Sequence, residues 1–247
     1  MSPSARNPDS KRLELLEDAL PPARRSIDSA TAAVLQTLVE ALASDPHAPS
    51  SVRDREEAWR VHIADSLSGL VFDQLADAAT IADLGSGAGF PGLPLAAALR
   101  DAQLDLVESN GRKCEYLERV ILSAGVPNAR PVSVRSETLA AGRGREAYDA
   151  VCARAVGRLA TLAELSSPLL RPGGVLVAWK GKRDTDEEAE LEGAAEALAM
   201  EPCDIVAVGP YAGSRHRHLH LVRKSGPTPA NLPRRPGMAK KRPFGAT

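Results

Sequence analysis

Aromatic residues are nearly missing from this 247-residue chain: two Trp, three Tyr and three Phe make up 3% of it. A protein that stacks bases along a row of aromatic side chains, as an RRM-type sheet or a single-strand-binding barrel does, needs more than that. Cysteine is equally scarce. Cys114, Cys152 and Cys203 stand alone, with no C-x-x-C pair and no His at ligand spacing, which argues against a disulfide framework and against a zinc site. A long apolar run is lacking too. The longest uncharged stretch, Leu84 to Leu99, is interrupted by four Gly and two Pro, unlike a membrane helix. Arg6, Asp9, Lys11 and Arg12 stand where a signal peptide would place an apolar run. The expectation is a soluble, reduced, cytoplasmic protein without metal or membrane.

Acid is missing from the C-terminal end. No Asp or Glu follows Asp204, whereas nine Lys and Arg do. The formal charge of -1 therefore divides into -10 over residues 1–204 (22 basic against 32 acidic) and +9 beyond. Opposite charges segregated along one chain suggest a cationic arm for a polyanion. Arg outnumbers Lys 24 to 7, which fits nucleic-acid contacts but also a compositional bias in a chain with 41 Ala.

What is present is enough for a packed core, with 43% hydrophobic residues. Ile27, Ala30, Val34, Leu35, Leu38, Val39 and Leu42 recur at three-four spacing and predict a helix over 27–44, ended by the Pro-rich stretch 46–49. Trp59, Ile63, Leu67 and Leu70 predict a second helix, on which His62 and Asp65 share a face. From residue 80 short apolar runs alternate with amphipathic stretches. Strands are expected at 80–84, 103–108, 130–134, 148–153 and 175–180, with helices at 91–99, 113–124, 158–169 and 186–199 between them. Two last strands, 203–208 and 216–223, are joined by a segment too short for a crossover, so the final one should run antiparallel. Three regions follow: a tail and helical extension over 1–79, an α/β domain over 80–224, and a basic Pro/Gly-rich tail over 225–247 that composition reads as flexible.

The sharpest motif is Asp83-Leu-Gly85-Ser-Gly87-Ala-Gly89-Phe90-Pro-Gly92, between the first strand and its helix. Glycines there permit positive φ and let a ligand approach the backbone. Two cofactors use such loops. The frame from Gly87 matches the dinucleotide pattern G-x-G-x-x-G, with Glu108 about twenty residues on for a ribose. The frame from Gly85, G-x-G-x-G led by an acid, is that of S-adenosylmethionine sites, and Asp83 suits a cofactor with an ammonium and a sulfonium better than a pyrophosphate. Tyr148-Asp-Ala-Val and Leu170-Arg-Pro-Gly-Gly-Val-Leu-Val, with the terminal hairpin, complete the layout of a class I methyltransferase.

The chain resembles a known family, the bacterial 16S ribosomal RNA guanine-N7 methyltransferase G, also called glucose-inhibited division protein B. The likeness rests on Val52-Arg-Asp, His62-Ile-Ala-Asp-Ser, Phe90-Pro-Gly-Leu-Pro-Leu, Val107-Glu-Ser-Asn-Gly-Arg-Lys, Ala153-Arg-Ala, Trp179-Lys-Gly, Arg217-His-Leu and the tail Pro233 to Pro243. It spans roughly residues 50 to 243. The family usually has an aromatic and Asn-rich stretch before Val-Arg-Asp; this chain has Ala43 to Ser51 instead, and contacts from that stretch are not carried over. The resemblance implies a Rossmann-like fold with a mostly parallel seven-stranded sheet and an antiparallel last strand. It also implies S-adenosylmethionine as cofactor, 16S rRNA or the small subunit as partner, and position 527 of that RNA as target. A monomer is expected.

Gly85, Gly87 and Gly89 are expected along the methionine moiety, with Phe90 either closing one side or packing in the core, and Glu108 on the ribose. The resemblance places Ser136 and Glu137 at the adenine, although alone they read equally as a helix cap. Arg154, after the fourth strand, is expected to hold the methionine carboxylate or an RNA phosphate, against a surface ion pair. His62 with Asp65 orders RNA or the cofactor entrance, or is a structural pair. Arg112 and Lys113 open a helix where the dipole disfavours cations, which points to a phosphate. Arg158, Lys180, Arg234, Arg235, Lys240, Lys241 and Arg242 complete the RNA candidates. Of the acids from Asp184 to Glu192, those in the first helical turn read as stabilising the helix and the rest as a solvated face.

No attacking Cys follows the fourth strand and no Asn-Pro-Pro-Tyr clamp is present. Guanine N7 needs neither, because its lone pair attacks the methyl directly and no proton leaves, so alignment can supply the rate. A methyltransferase for a small molecule or protein, a silent RNA-binding relative and, more remotely, an NAD-linked dehydrogenase are the other readings.

Overall fold

The computed structural model describes residues 27 to 244; the loose N-terminal tail expected over the first ten residues lies outside them. Seven strands, β1 (Thr80–Leu84), β2 (Gln103–Val107), β3 (Ala129–Val132), β4 (Tyr148–Arg154), β5 (Leu170–Lys180), β6 (Met200–Val208) and β7 (Arg217–Lys224), form one sheet in the order β3-β2-β1-β4-β5-β7-β6. The first five pair in parallel. β7 is antiparallel to β5 on one side and to β6 on the other, as its short connection from β6 requires. In β4 every residue but Arg154 is buried, which is why its sequence is apolar on both faces rather than alternating.

Helices cover both faces. On one side lie α1 (Ser29–Ser44), an irregular helical run here called α2, the turn α3 (Asp73–Ala76), α4 (Gly92–Ala98) and α5 (Gly111–Ala124); on the other lie α6 (Ser136–Ala140), α7 (Leu159–Ser166) and α8 (Thr185–Leu198). In α1 the predicted Leu35, Leu38, Val39 and Leu42 are buried, while Ala30 is exposed. The run α2 passes from an α-turn (Arg55–Ala58) through a π-helix (Trp59–Ala64) and an α-turn (Asp65–Leu67) into a 3-10 turn (Ser68–Val71). π-Turns inside helices are found frequently at functional sites, and this one carries His62. Trp179 on β5 fastens the run to the sheet: its indole N–H donates to the Asp65 carbonyl at 2.8 Å. Gly69 lies flat against the same ring, where a Cβ would stand 2.3 Å from Cζ2.

Three expectations are corrected. β5 starts at Leu170 and β6 at Met200, each earlier than the apolar runs suggested, because Pro and Gly at 172–174 and the bulge between Pro202 and Asp204 interrupt the pattern without ending the pairing. The tail beyond Ser225 is not a free arm in the described residues. Leu232 and Ala239 are 3% and 2% exposed, and a short helix α9 (Met238–Lys241) lies against α7. The acids of α8 are more than a solvated face: Glu187 is buried, accepts from the Leu159 amide at 2.7 Å and pairs with Lys180 at 2.6 Å. No described helix is long and apolar enough to cross a membrane.

Candidate active site

Chain direction splits at β1, which has β2 on one side and β4 on the other; ligands of open α/β sheets bind at the carboxyl edge of such a switch point. The glycine loop occupies it. Gly85, Gly87 and Gly89 have φ of 67°, 56° and 94°, a region that costs any residue with a Cβ. A Cβ on Gly87 would meet only the Gly85 carbonyl, 3.7 Å away, so this position faces open space. Gly92 is glycine for the opposite reason. A Cβ there would stand 2.3 Å from Leu106 Cδ2 and 2.7 Å from Asp83 Oδ2.

Asp83 lies beneath the loop. Its Oδ2 accepts from the Gly92 amide at 3.1 Å, while Oδ1 is buried with no partner among the described residues. Burial pushes its carboxyl up to about 6, against the opposing pull of the Gly92 amide, the Ser86 hydroxyl and the Arg154 charge. Glu108, at the end of β2, is buried and ties the loop together: Oε2 accepts from the Gly87 amide at 3.2 Å and Oε1 from the Asn110 amide at 2.9 Å. Asn110 in turn caps α5 through the amides of Arg112 and Lys113.

A cavity of about 230 Å³ opens beside this loop. Gly85, Glu108 and the adjacent pair Ser136 and Glu137, predicted from three separate places in the chain, all line it. Ser136 does not cap its helix by side chain; its hydroxyl donates to Glu137 Oε2 at 3.2 Å. Gly237, Ala239 and Lys240 also line the cavity, and of these only Lys240 was singled out in the sequence, as an RNA contact.

Phe90 and Arg154 stand on the other side of the loop, outside the lining of this cavity. Phe90 is 7% exposed and stacks on the His62 ring, with centroids 4.4 Å apart and planes 7° apart. Arg154 Nη1 donates to Asp65 Oδ2 at 2.9 Å and to the Val61 carbonyl at 3.0 Å, and Nη2 lies 3.1 Å from His62 Nδ1. His62 Nε2 is 3.0 Å from the Ser50 hydroxyl. Burial, with the adjacent guanidinium, lowers the His62 pKa to about 4, so the ring is neutral near pH 7. Arg154 is therefore neither free nor a surface pair: it is a half-buried strut joining β4 to the π-turn. Ala155, directly after it, has φ 60°, a backbone outlier at the sheet's ligand edge. Arg53, named in the sequence only as part of the Val52-Arg-Asp motif and given no role there, donates to the carbonyls of Leu42, Asp45 and Ala48 and so shapes the loop that presents Ser50.

The remaining cations divide. Lys180 is committed to Glu187 and the Gly157 carbonyl, Arg158 to Glu190, and Arg234 to Glu164. Lys113 stands 3.8 Å from Glu108. Arg112, Arg235, Lys240, Lys241 and Arg242 make no ion pair among the described residues. Cys152, inside β4, is fully enclosed, and burial pushes its thiol well above the ordinary range.

A family model described as rRNA small subunit methyltransferase G matches residues 35–219. Curated relatives bearing the name ribosomal RNA small subunit methyltransferase G include those of Rubrobacter xylanophilus and Chloroflexus aggregans. The first is 40% identical over 196 residues (78% of this chain, 75% of that one) and the second 40% over 200 residues (79% and 82%). The chain belongs to this family. Among solved structures, a predicted O-methyltransferase of Agrobacterium tumefaciens is 25% identical with a TM-score of 0.53, covering 66% of this chain and 81% of that one. A Burkholderia thailandensis 1,6-didemethyltoxoflavin-N1-methyltransferase with bound S-adenosylhomocysteine has a TM-score of 0.50 at 15% identity, over 81% and 92% of the two chains, and shares the fold alone. Fold and family are thus those of a class I S-adenosylmethionine-dependent methyltransferase.

The cleft fits that cofactor. Asp83, buried beneath the loop, keeps one oxygen unpartnered and so suits a cationic donor above it, the space over Gly87 admits a ligand against bare backbone, and Glu108 offers a carboxylate at the cavity edge. A pH dependence follows. Folded Asp83 titrates near 6 rather than 3.8, so between those values the folded state holds the extra proton. Stability from this group therefore falls as pH rises through that window, and the cost, about 3 kcal/mol for a rise of this size, is fully present above it. Asp83→Asn is expected to melt no lower than the parent at pH 7, yet to bind S-adenosylhomocysteine at least tenfold more weakly. Lowering the pH from 7 to 5 should weaken binding to the parent and leave the variant's affinity flat. Parent-like affinity in the variant at pH 7 removes Asp83 from the site.

Proposed function

We propose that this chain methylates N7 of a guanosine in 16S rRNA, position 527 by family resemblance, in the cytoplasm. The observation that carries the proposal is the family match over residues 35–219, supported by a cavity that Gly85 of the glycine loop and Glu108 both line. When bound, S-adenosylmethionine supplies an electrophilic methyl on a sulfonium. The N7 lone pair forms the new C–N bond as the S–CH3 bond breaks; no proton leaves, and the positive charge passes to the guanine ring. What the protein must do is align the two and tolerate that charge.

The residues support both tasks. Glu108 and the Gly87 amide form one preset unit, ready to orient a ribose from one end of the cleft. Across the glycine loop, outside that cavity, the flat His62–Phe90 pair, held by Arg154 and Ser50, offers a rigid edge against which a base can rest. His62, neutral near pH 7, adds no charge opposing the one that develops on guanine. Arg112, Lys241 and Arg242 make no ion pair among the described residues and suit phosphates, which position RNA without choosing the base.

The test is to incubate purified protein and donor with naked 16S rRNA and with small subunits, digest the RNA and search by mass spectrometry for 7-methylguanosine. Its appearance at one nucleotide is expected. Absence of the methylated nucleoside from both substrates refutes the proposal, and methylation at another atom of the base redirects it.

A further inference from the structure

We infer that residues 234 to 240 are a cofactor-binding strap: they close the adenosine end of the donor pocket, and the Arg234–Glu164 ion pair is the latch that seats them. The inference rests on the S-adenosylmethionine reading of the cavity and extends it to a segment beyond residue 219, where the family match ends.

Three of the residues lining the cavity, Gly237, Ala239 and Lys240, come from this segment, and they stand against Glu108, Ser136 and Glu137. The strap is bound to that wall directly. The Gly237 amide donates to Glu137 Oε1 at 2.7 Å, and the Thr161 hydroxyl, itself from a lining residue, donates to the Ala239 carbonyl at 3.3 Å. Gly237 has φ 82°, which lets the chain turn inward at the point of contact.

The latch lies just before this turn. Arg234 Nε donates to Glu164 Oε1 at 2.6 Å and its Nη2 reaches the second oxygen, a two-pronged pair on a carboxylate that is 3% exposed. The same guanidinium bonds the Arg242 carbonyl at 2.7 Å and stacks over the Phe244 ring, 4.3 Å from its centroid. It thereby holds both ends of the turn at once. Upstream, Leu232 is buried and its carbonyl accepts from Arg145 at 2.9 Å, while the Thr228 amide donates to Glu146 at 2.7 Å. A segment serving only as a solvated phosphate arm has no need of a buried Arg–Glu pair or of a backbone amide spent on Glu137. Geometry of this kind builds a wall.

Calorimetry with S-adenosylhomocysteine on the full chain tests the inference. Arg234→Ala is expected to weaken binding at least tenfold, and Arg234→Glu combined with Glu164→Arg to recover most of the loss. Arg215→Ala, which removes one exposed positive charge from the same half of the chain, should stay within twofold of the parent. Equal affinity in the parent and a folded Arg234→Ala overturns the strap while leaving the cofactor reading intact; a parent that takes up no S-adenosylhomocysteine overturns both. Should Arg234→Ala fail to fold, hydrogen exchange of the parent decides instead. Amides from Gly237 to Lys241 slowing at least tenfold on adding S-adenosylhomocysteine support the strap, and unchanged rates overturn it.

Discussion

Arg154→Ala is expected to lower folding stability by about 3 to 5 kcal/mol and turnover by a factor on the order of 100 or more. The stability loss follows from Asp65. Its side chain is 6% exposed and loses a partner at 2.9 Å, and a buried carboxylate left without its cation costs about that much. Arg217, 3.9 Å from the other Asp65 oxygen, is too far to replace it fully. The turnover loss follows from His62 and the π-turn, both positioned by the same guanidinium, because a shift of about 1 Å in aligned reactants costs on the order of 100-fold. Arg154→Lys keeps the charge but not the fork that reaches Asp65, Val61 and His62 together, so it should recover more stability than activity. Thermal melts and single-turnover rates measure the two effects separately. A folded Arg154→Ala enzyme with the parent's rate would remove the strut from the mechanism.

Glu108→Ala carries the largest expected effect on donor affinity, about 100-fold or more, equivalent to about 2.7 kcal/mol. Two losses combine. Hydrogen bonds to a charged carboxylate contribute about 1.5 to 3 kcal/mol each, and a ribose would lose them. The amides of Gly87 and Asn110 also lose the acceptor that orders the loop and the start of α5. Glu108→Asp, shorter by one methylene, should fall between. Calorimetric titration distinguishes these outcomes, and a change smaller than threefold for the alanine variant means that the carboxylate serves the loop and not the ligand.

Local features were readable from the chain before the fold was in view. The glycine loop is a local motif whose backbone demands are written in consecutive residues, and the alternation of apolar runs with amphipathic stretches placed each strand of the parallel half within a few positions. Gly85, Glu108, Ser136 and Glu137 do converge on one cavity, because each follows or ends a parallel strand at the same sheet edge.

What escaped has a common cause in contacts between residues far apart in the chain. Arg154 with Asp65, Arg234 with Glu164 and Gly237 with Glu137 are separated by 89, 70 and 100 residues, and nothing local to either partner reveals the other. Composition alone therefore turned the Pro, Gly and Arg of the tail into a flexible arm. Leu232, Met238, Ala239 and Phe244 were the available counter-signal, since a purely solvated arm has no use for apolar residues at that spacing. Lys180 and Arg158 mislead similarly: as charges they suggest phosphate, and only the fold reveals Glu187 and Glu190 facing them.

The strap also bears on how mutant alleles of this gene should be sorted. A nonsense codon just after Lys224 leaves the coding sequence for all seven strands intact, and by sheet topology it would be filed as a harmless truncation. Losing Gly237, Ala239 and the Arg234 latch instead opens the donor pocket from one side, so such an allele belongs with lesions of the glycine loop. The codons for residues 234 to 240 are then under the same selection as those for residues 83 to 92.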